Sequence, residues 1–219
     1  QTAVTLTANG TQGGVLSLNN SNGVARAYLA GLNSGAYMYL YRGDGTPTVT
    51  LFADDGTGSG LITTSVLQIT GGSDLSEQFD VGKPINPEPY AASEPAELEP
   101  TAGVVQPGMV VCIDAENPGK LVVSTKPYDR TVAGIVSGAG GVNPGMLMGH
   151  RGTLADGKHP IALTGRVYCL ADASDGSIHP GDLLTTSLAP GHAMRVTNST
   201  EAQGAILGKA MSTLEEGKG

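Results

Sequence analysis

Leu18, Leu29, Leu40, Leu51 and Ile62 recur at intervals of eleven residues, and two positions before the first four of them stand Leu16, Ala27, Met38 and Val49. Five positions after those anchors come Gly23, Ser34, Gly45 and Gly56. An apolar pair at i, i+2 puts both side chains on one face of a short strand. The small residue that follows supplies a permissive turn. An eleven-residue period also suits a helical repeat, but the recurrent Gly, Asn, Asp and Thr disfavour it. The nine apolar residues are therefore the expected assembly core of a short-strand β-repeat over residues 1–70. Ser17, Tyr28, Tyr39 and Thr50 occupy a mixed opposite face.

Eleven extended residues reach at most about 40 Å. That perimeter barely encloses two layers of side chains at a sheet spacing of about 10 Å, so a single-chain β-helix is not expected. The units can form an antiparallel meander on one chain, or three chains can wind together and share a core. A lone meander leaves an apolar face uncovered, a feature that signals association, and the intertwined homotrimer is the expectation. The tripeptide Arg42-Gly43-Asp44 is an adhesion signal in some secreted proteins. Here it falls between Leu40 and Gly45, in step with "NNSN" at 19–22 and "FADD" at 52–55, and reads as a turn.

In the segment "GGSDLSEQFDVG", Asp74 and Glu77 have the spacing of a capping box, which predicts one helical turn. The next stretch, "KPINPEPYAASEPAELEP", holds Pro84, Pro87, Pro89, Pro95 and Pro100 among four glutamates and reads as an extended spacer. Residues 71–101 are thus a turn and linker between the repeat and a second β domain at 102–219. That domain contains an internal echo: "QPGMVV", "NPGKLVVST" and "VAGIVSG" are matched by "HPGDLL", "APGHAMRVT" and "GAILGKA". Two similar halves suit a compact barrel or sandwich. Residues 201–216 could be helical by content, but Gly204 and Gly208 favour a strand.

The formal charge of −8, with 12 Lys and Arg in 219 residues, excludes a basic surface for nucleic acid or anionic lipid. No apolar run reaches the 18 residues of a bilayer-spanning helix. A start at Gln1 without an initiator Met is what processing of a secreted chain would leave, though it has other origins too, and an extracellular or cell-surface location is the expectation. Cys112 and Cys169 can form one disulfide in that setting, or serve as two buried thiols. His150, His159, His179 and His192 share no metal-ligand spacing with one another or with Cys or carboxylates. No cofactor or metal is expected, and the Asp-rich turns "GDG" and "ADDG" lack the ordered ligands of a Ca²⁺ loop. For self-cleavage, the candidates are Ser124, Asp129 or Thr186 beside a histidine.

The strings "ITGGSDLSEQFD", "NPGKLVVSTKPYDRTVAGIVSGAGGVNPG", "ALTGRVYCLADAS", "GDLLTTSLAPGHAM" and "QGAILGKAM" resemble the C-terminal head of secreted bacterial proteins of phage tail-fibre character, in which such a head follows short β-repeats. The resemblance spans about residues 60–219 and implies no catalytic role for these residues. Relatives join "GGSDL" to the head more directly and continue past "LEEGKG" into a final apolar strand. The resemblance therefore implies an unpaired edge in this head, which another chain's "TAVTLTA" could fill by strand addition.

The expected protein is a non-enzymatic structural subunit of an extracellular fibre, all-β, assembling with itself as a trimer or a longer polymer. A surface glycan-binding adhesin, using the head or Tyr28, Tyr37, Tyr39 and Tyr41, is the alternative. A self-cleaving head is the third reading.

Overall fold

The structure is a computed structural model and describes residues 4–9, 13–32, 35–53, 60–82, 104–149, 152–153 and 155–219. The chain separates into two compact units, Gln1–Gln68 and Ile69–Gly219. Among the described residues the only helical element is the 3-10 turn Ala139–Gly141, and the fold is all-β, as expected.

The first unit is one six-stranded antiparallel sheet in chain order: β1 (Val4–Asn9), β2 (Gly13–Asn19), β3 (Ala25–Leu32), β4 (Gly35–Tyr41), β5 (Pro47–Phe52) and β6 (Leu61–Thr64). Its register follows from the period. One strand plus one reversal takes eleven residues, so each apolar pair returns opposite the next. Leu16 faces Leu29, Leu29 faces Met38, Met38 faces Leu51 and Leu51 faces Ile62. A second row runs through Leu18, Ala27, Leu40 and Val49.

Two turns 22 residues apart reverse the chain in the same way. Gly23 donates to the Asn20 carbonyl and Gly45 to that of Arg42, each at 3.0 Å, with both glycines at positive φ (77° and 87°). The Asn20 Oδ1 accepts from Val24 N–H and the Asp44 Oδ1 from Thr46 N–H, at 2.9 Å each. These side-chain acceptors are why Asn and Asp stand there.

The strand pairing corrects the intertwined arrangement. Every described strand of the repeat finds its hydrogen-bonding neighbours within its own chain, and the two described turns, at 20–24 and 42–46, are tight hairpin reversals, so the structure has the single-chain meander, the other arrangement open to the repeat. The expected helical turn at Asp74 and Glu77 is likewise a strand, β7 (Asp74–Phe79), and Ser76 Oγ donates to the Asp74 carboxylate. Pairing on both edges overrides the local capping signal. Residues 71–82 thus belong with the head rather than with a linker, while the proline-rich stretch at 83–100 lies outside the described residues.

In the second unit β7 is followed, after Asp80 alone, by β8 (Val81–Gly82). Then come β9 (Val110–Ile113), β10 (Leu121–Val123), β11 (Val132–Val136), β12 (Met146–Met148) and β13 (His159–Gly165). Their order is β12-β7-β13-β11-β9-β10-β8. Since β7 and β8 are nearly continuous yet pair with strands far apart in that order, the sheet curls back on itself. β7 pairs with β13, β8 with β10, and Leu121 N–H donates to the Asp80 carbonyl at 3.0 Å. One bent strand closes a small barrel around Met109, Val111, Leu121, Val123, Val136 and Ile161.

The C-terminal half forms a three-stranded sheet, β15-β14-β16, from β14 (Leu183–Thr186), β15 (Ala193–Arg195) and β16 (Gly208–Lys209). It repeats the arrangement β10-β9-β11. The Pro-Gly turns before β9, β10, β14 and β15 each close with a backbone hydrogen bond of 3.0–3.3 Å, and Gly108, Gly119, Gly181 and Gly191 have φ between 70° and 96°. A type II turn requires this of its third residue. In the first half Gly134 pairs with Val111, and in the second Gly208 pairs with Leu184.

These matched glycines differ in surroundings. A Cβ at Gly134 would sit 2.5 Å from the Ala162 carbonyl oxygen of β13, whereas one at Gly208 meets nothing within 4 Å. Gly134→Ala is expected to lower head stability by about 1–3 kcal/mol through backbone displacement. Gly208→Ala should leave it level or raise it by up to about 1 kcal/mol. Urea unfolding of the two variants reads the contrast.

Candidate functional site

All nine predicted assembly residues lie on one face of the meander, in the two rows that the register builds. The strand β1 extends them: Leu6 pairs with Leu16 and Val4 with Leu18. The period misses these two because Thr5 and Thr7 stand at the positions eleven before Leu16 and Leu18. Their signal is instead the alternation of "AVTLTA". Leu6, Leu16, Leu29, Met38, Leu51 and Ile62 therefore cross all six strands, and no charged residue interrupts either row. Leu29 is 50% exposed, Ile62 65% and Leu6 79%. Leu16, Ala27, Val49 and Leu51 are half-buried by their neighbours in the sheet.

The opposite face carries an aromatic cluster. The rings of Tyr37 and Tyr39 stack at 6.5 Å, those of Tyr39 and Tyr41 at 6.0 Å, and Phe52 meets Tyr37 edge-on at 5.1 Å. Cross-strand pairing of Tyr28 with Tyr39 and of Tyr37 with Phe52 brings these rings together. Burial, then the neighbouring phenols of Tyr39 and Tyr28, hold the Tyr41 phenol above its ordinary range.

Arg42, Gly43 and Asp44 form the predicted turn. The Asp44 carboxylate accepts the Thr46 N–H and is held below the usual carboxylate range chiefly by that bond. Arg42 lies 4.0 Å from it, and the Gly43 carbonyl accepts from Arg26 at 2.8 Å. Asp54 and Asp55 of the "ADDG" turn, with Ser34 and Gly56, lie outside the described residues.

In the head the candidate nucleophiles are placed structurally. Thr186 is fully buried and its Oγ1 accepts the Asp129 N–H at 2.8 Å. Burial opposes ionisation of Asp129, but the Thr131 hydroxyl and N–H and the Lys126 ammonium outweigh it and lower its pKa. Ser124 is buried, and its Oγ has no hydrogen-bond partner among the described residues. His192 is buried with Nδ1 2.7 Å from the Pro190 carbonyl, His179 meets Ser177 at 3.1 Å, His159 lies in β13, and His150 is outside the described residues. Among the described residues no group of three His, Cys, Asp or Glu could hold a metal ion. No described helix is long and apolar enough to cross a membrane.

Cys112 and Cys169 are free thiols, the first buried and the second half-buried, which corrects the disulfide expectation. Cys112 sits beside Asp129 and Thr131, whereas Cys169 packs with Val110, Ile135 and Ala193. Burial, the largest cause for both, pushes each thiol up to about 12. A neutral group that resists ionisation in the fold gives stability that is intact below the unfolded thiol value of about 8.5. That stability is lost as pH rises from there toward 12, because the unfolded chain then binds fewer protons. Urea unfolding should accordingly show stability falling between pH 8.5 and 10.5, and a variant with both thiols replaced by Ala should lack the part due to them. Iodoacetamide at pH 8 should label the buried Cys112 only after unfolding.

Comparison with protein-family models, with curated proteins and with solved structures finds no match to this chain.

Proposed function

We propose that this chain is a structural subunit of an extracellular fibre, tail-fibre-like in plan, that assembles with copies of itself through the aliphatic face of its meander. The observation that carries the reading is the uninterrupted row from Leu6 to Ile62, exposed on a sheet that no described residue of its own unit covers. A soluble chain with such a patch gains by association. The reading assigns no catalytic step to the chain.

Three copies suit the dimensions. Six strands at about 4.8 Å spacing make a sheet about 24 Å wide. Three such sheets as the sides of a triangle lie about 7 Å from its axis, close to the reach of Leu and Met. The association is a packing of finished sheets rather than a winding of chains. Electron microscopy of negatively stained native protein tests it: stalks carrying heads are expected, and a field of isolated single-chain particles would overturn it.

A second reading rests on the aromatic face. The stacked Tyr37, Tyr39 and Tyr41 stay outward when the aliphatic face is buried, and such rings can stack on the apolar faces of sugars while their hydroxyls hydrogen-bond. A glycan array probed with the assembled protein is the test. Binding that is lost in Tyr39→Ala supports it, and a blank array removes it.

A further inference from the structure

In the first half of the head, β11 has β9 on one side and β13 on the other. In the second half, β16 has β14 on one side and no strand on the other among the described residues. The place where a strand equivalent to β13 would lie is an open groove of about 720 Å³. Its walls include Ile135, Val167, Leu184, Ile206 and Leu207.

Three further observations mark the groove as a strand site. Gly134 is a glycine because β13 passes close by, whereas at the matching Gly208 the same space stands empty. Val167, Tyr168 and Cys169 line the groove and make no backbone–backbone hydrogen bond among the described residues. The Ser137 Oγ, buried on the lining, has no partner among the described residues.

We infer that this groove accepts β1 of a second copy, running antiparallel to β16 as β13 runs to β11. The inference rests on the self-assembly reading above and adds a head-to-tail link to it. The occupant follows from chemistry. β1 is an edge strand with one partner, β2. Residues 1–20 contain no charged side chain, so β1 brings no charge to a groove whose mixed lining includes Asp74, Arg166 and Lys209 beside its aliphatic walls. Val4 and Leu6 are 52% and 79% exposed at the end of the meander, so moving β1 into a neighbour's groove exchanges one set of ladder hydrogen bonds for another and buries both, while the aliphatic row from Leu16 to Ile62 is left to pack between copies. A link from the repeat of one copy to the head of the next is heterologous, and such contacts propagate into open filaments unless they close into a ring.

The test uses the full chain carrying Leu6→Cys and Ile206→Cys. Mild oxidation should give covalent dimers and higher species on a non-reducing denaturing gel, with peptide mass spectrometry finding a disulfide between positions 6 and 206 of different chains. Adding Gly208→Val fills the space beside β16 without meeting existing atoms, and should cut that product at least tenfold. A 6–206 link confined within one chain, links joining only position 6 to position 6, no link at all, or an unchanged yield with Gly208→Val would each overturn strand donation. Light scattering on the unoxidised sample separates the two claims. Multi-chain particles without the 6–206 link sink the strand donation alone, whereas single chains sink the assembly reading as well.

Discussion

Leu29→Asp should reduce the protein to single chains at micromolar concentration while the head keeps its melting temperature. Leu29 lies in the middle of the aliphatic row, opposite Leu16 and Met38, and is half exposed in the free chain. A carboxylate there meets water in the monomer and is tolerated. In the proposed assembly each copy would lose the burial of a Leu side chain, about 1.5–3 kcal/mol, and would also have to remove an unpaired charge from water, which costs several kcal/mol more. Over three copies the association constant falls by far more than a thousandfold. Size-exclusion chromatography with circular dichroism checks both halves. Thr50→Asp, on the opposite face, should leave the mass unchanged.

The second large effect falls on the barrel. Ile161 is fully buried within the closed sheet, packed with Met109, Val111 and Val136. Ile161→Ala should lower head stability by about 2–5 kcal/mol through lost transfer energy and the cavity left behind. For a unit of this size that is a fall of roughly 5–15 °C in melting temperature. The urea midpoint should shift with its slope unchanged, since the surface exposed on unfolding is nearly the same. A shift below 1 kcal/mol would mean that the barrel does not close around this residue.

How much of this was legible in the sequence depended on the range of the interaction. The meander's face could be read because it is local: an i, i+2 pair repeated every eleven residues fixes both the face and the hairpin register. Whether the strands pair within one chain could not be read from the same pattern, since both arrangements bury the same face, and the tight turns at Asn20 and Arg42 favour the meander. Asp74 and Glu77 misled because their spacing fits a helix start, while the pairing of Leu75 with both Met146 and Thr164 is invisible locally. The echo between the halves was visible as strings but its register was not. Laid letter against letter, "VAGIVSG" and "GAILGKA" set Gly134 against Ile206, whereas the strand pairing sets it against Gly208. The groove beside β16 needed the sheet order: the resemblance implied an unpaired edge in the head but not which strand carries it.

The central claim is that the exposed aliphatic row joins copies of this chain. Light scattering of the native protein, measured at micromolar concentration, tests it most directly. A particle of three chains or a whole multiple of three is expected, and a stable mass of one chain would overturn the proposed assembly.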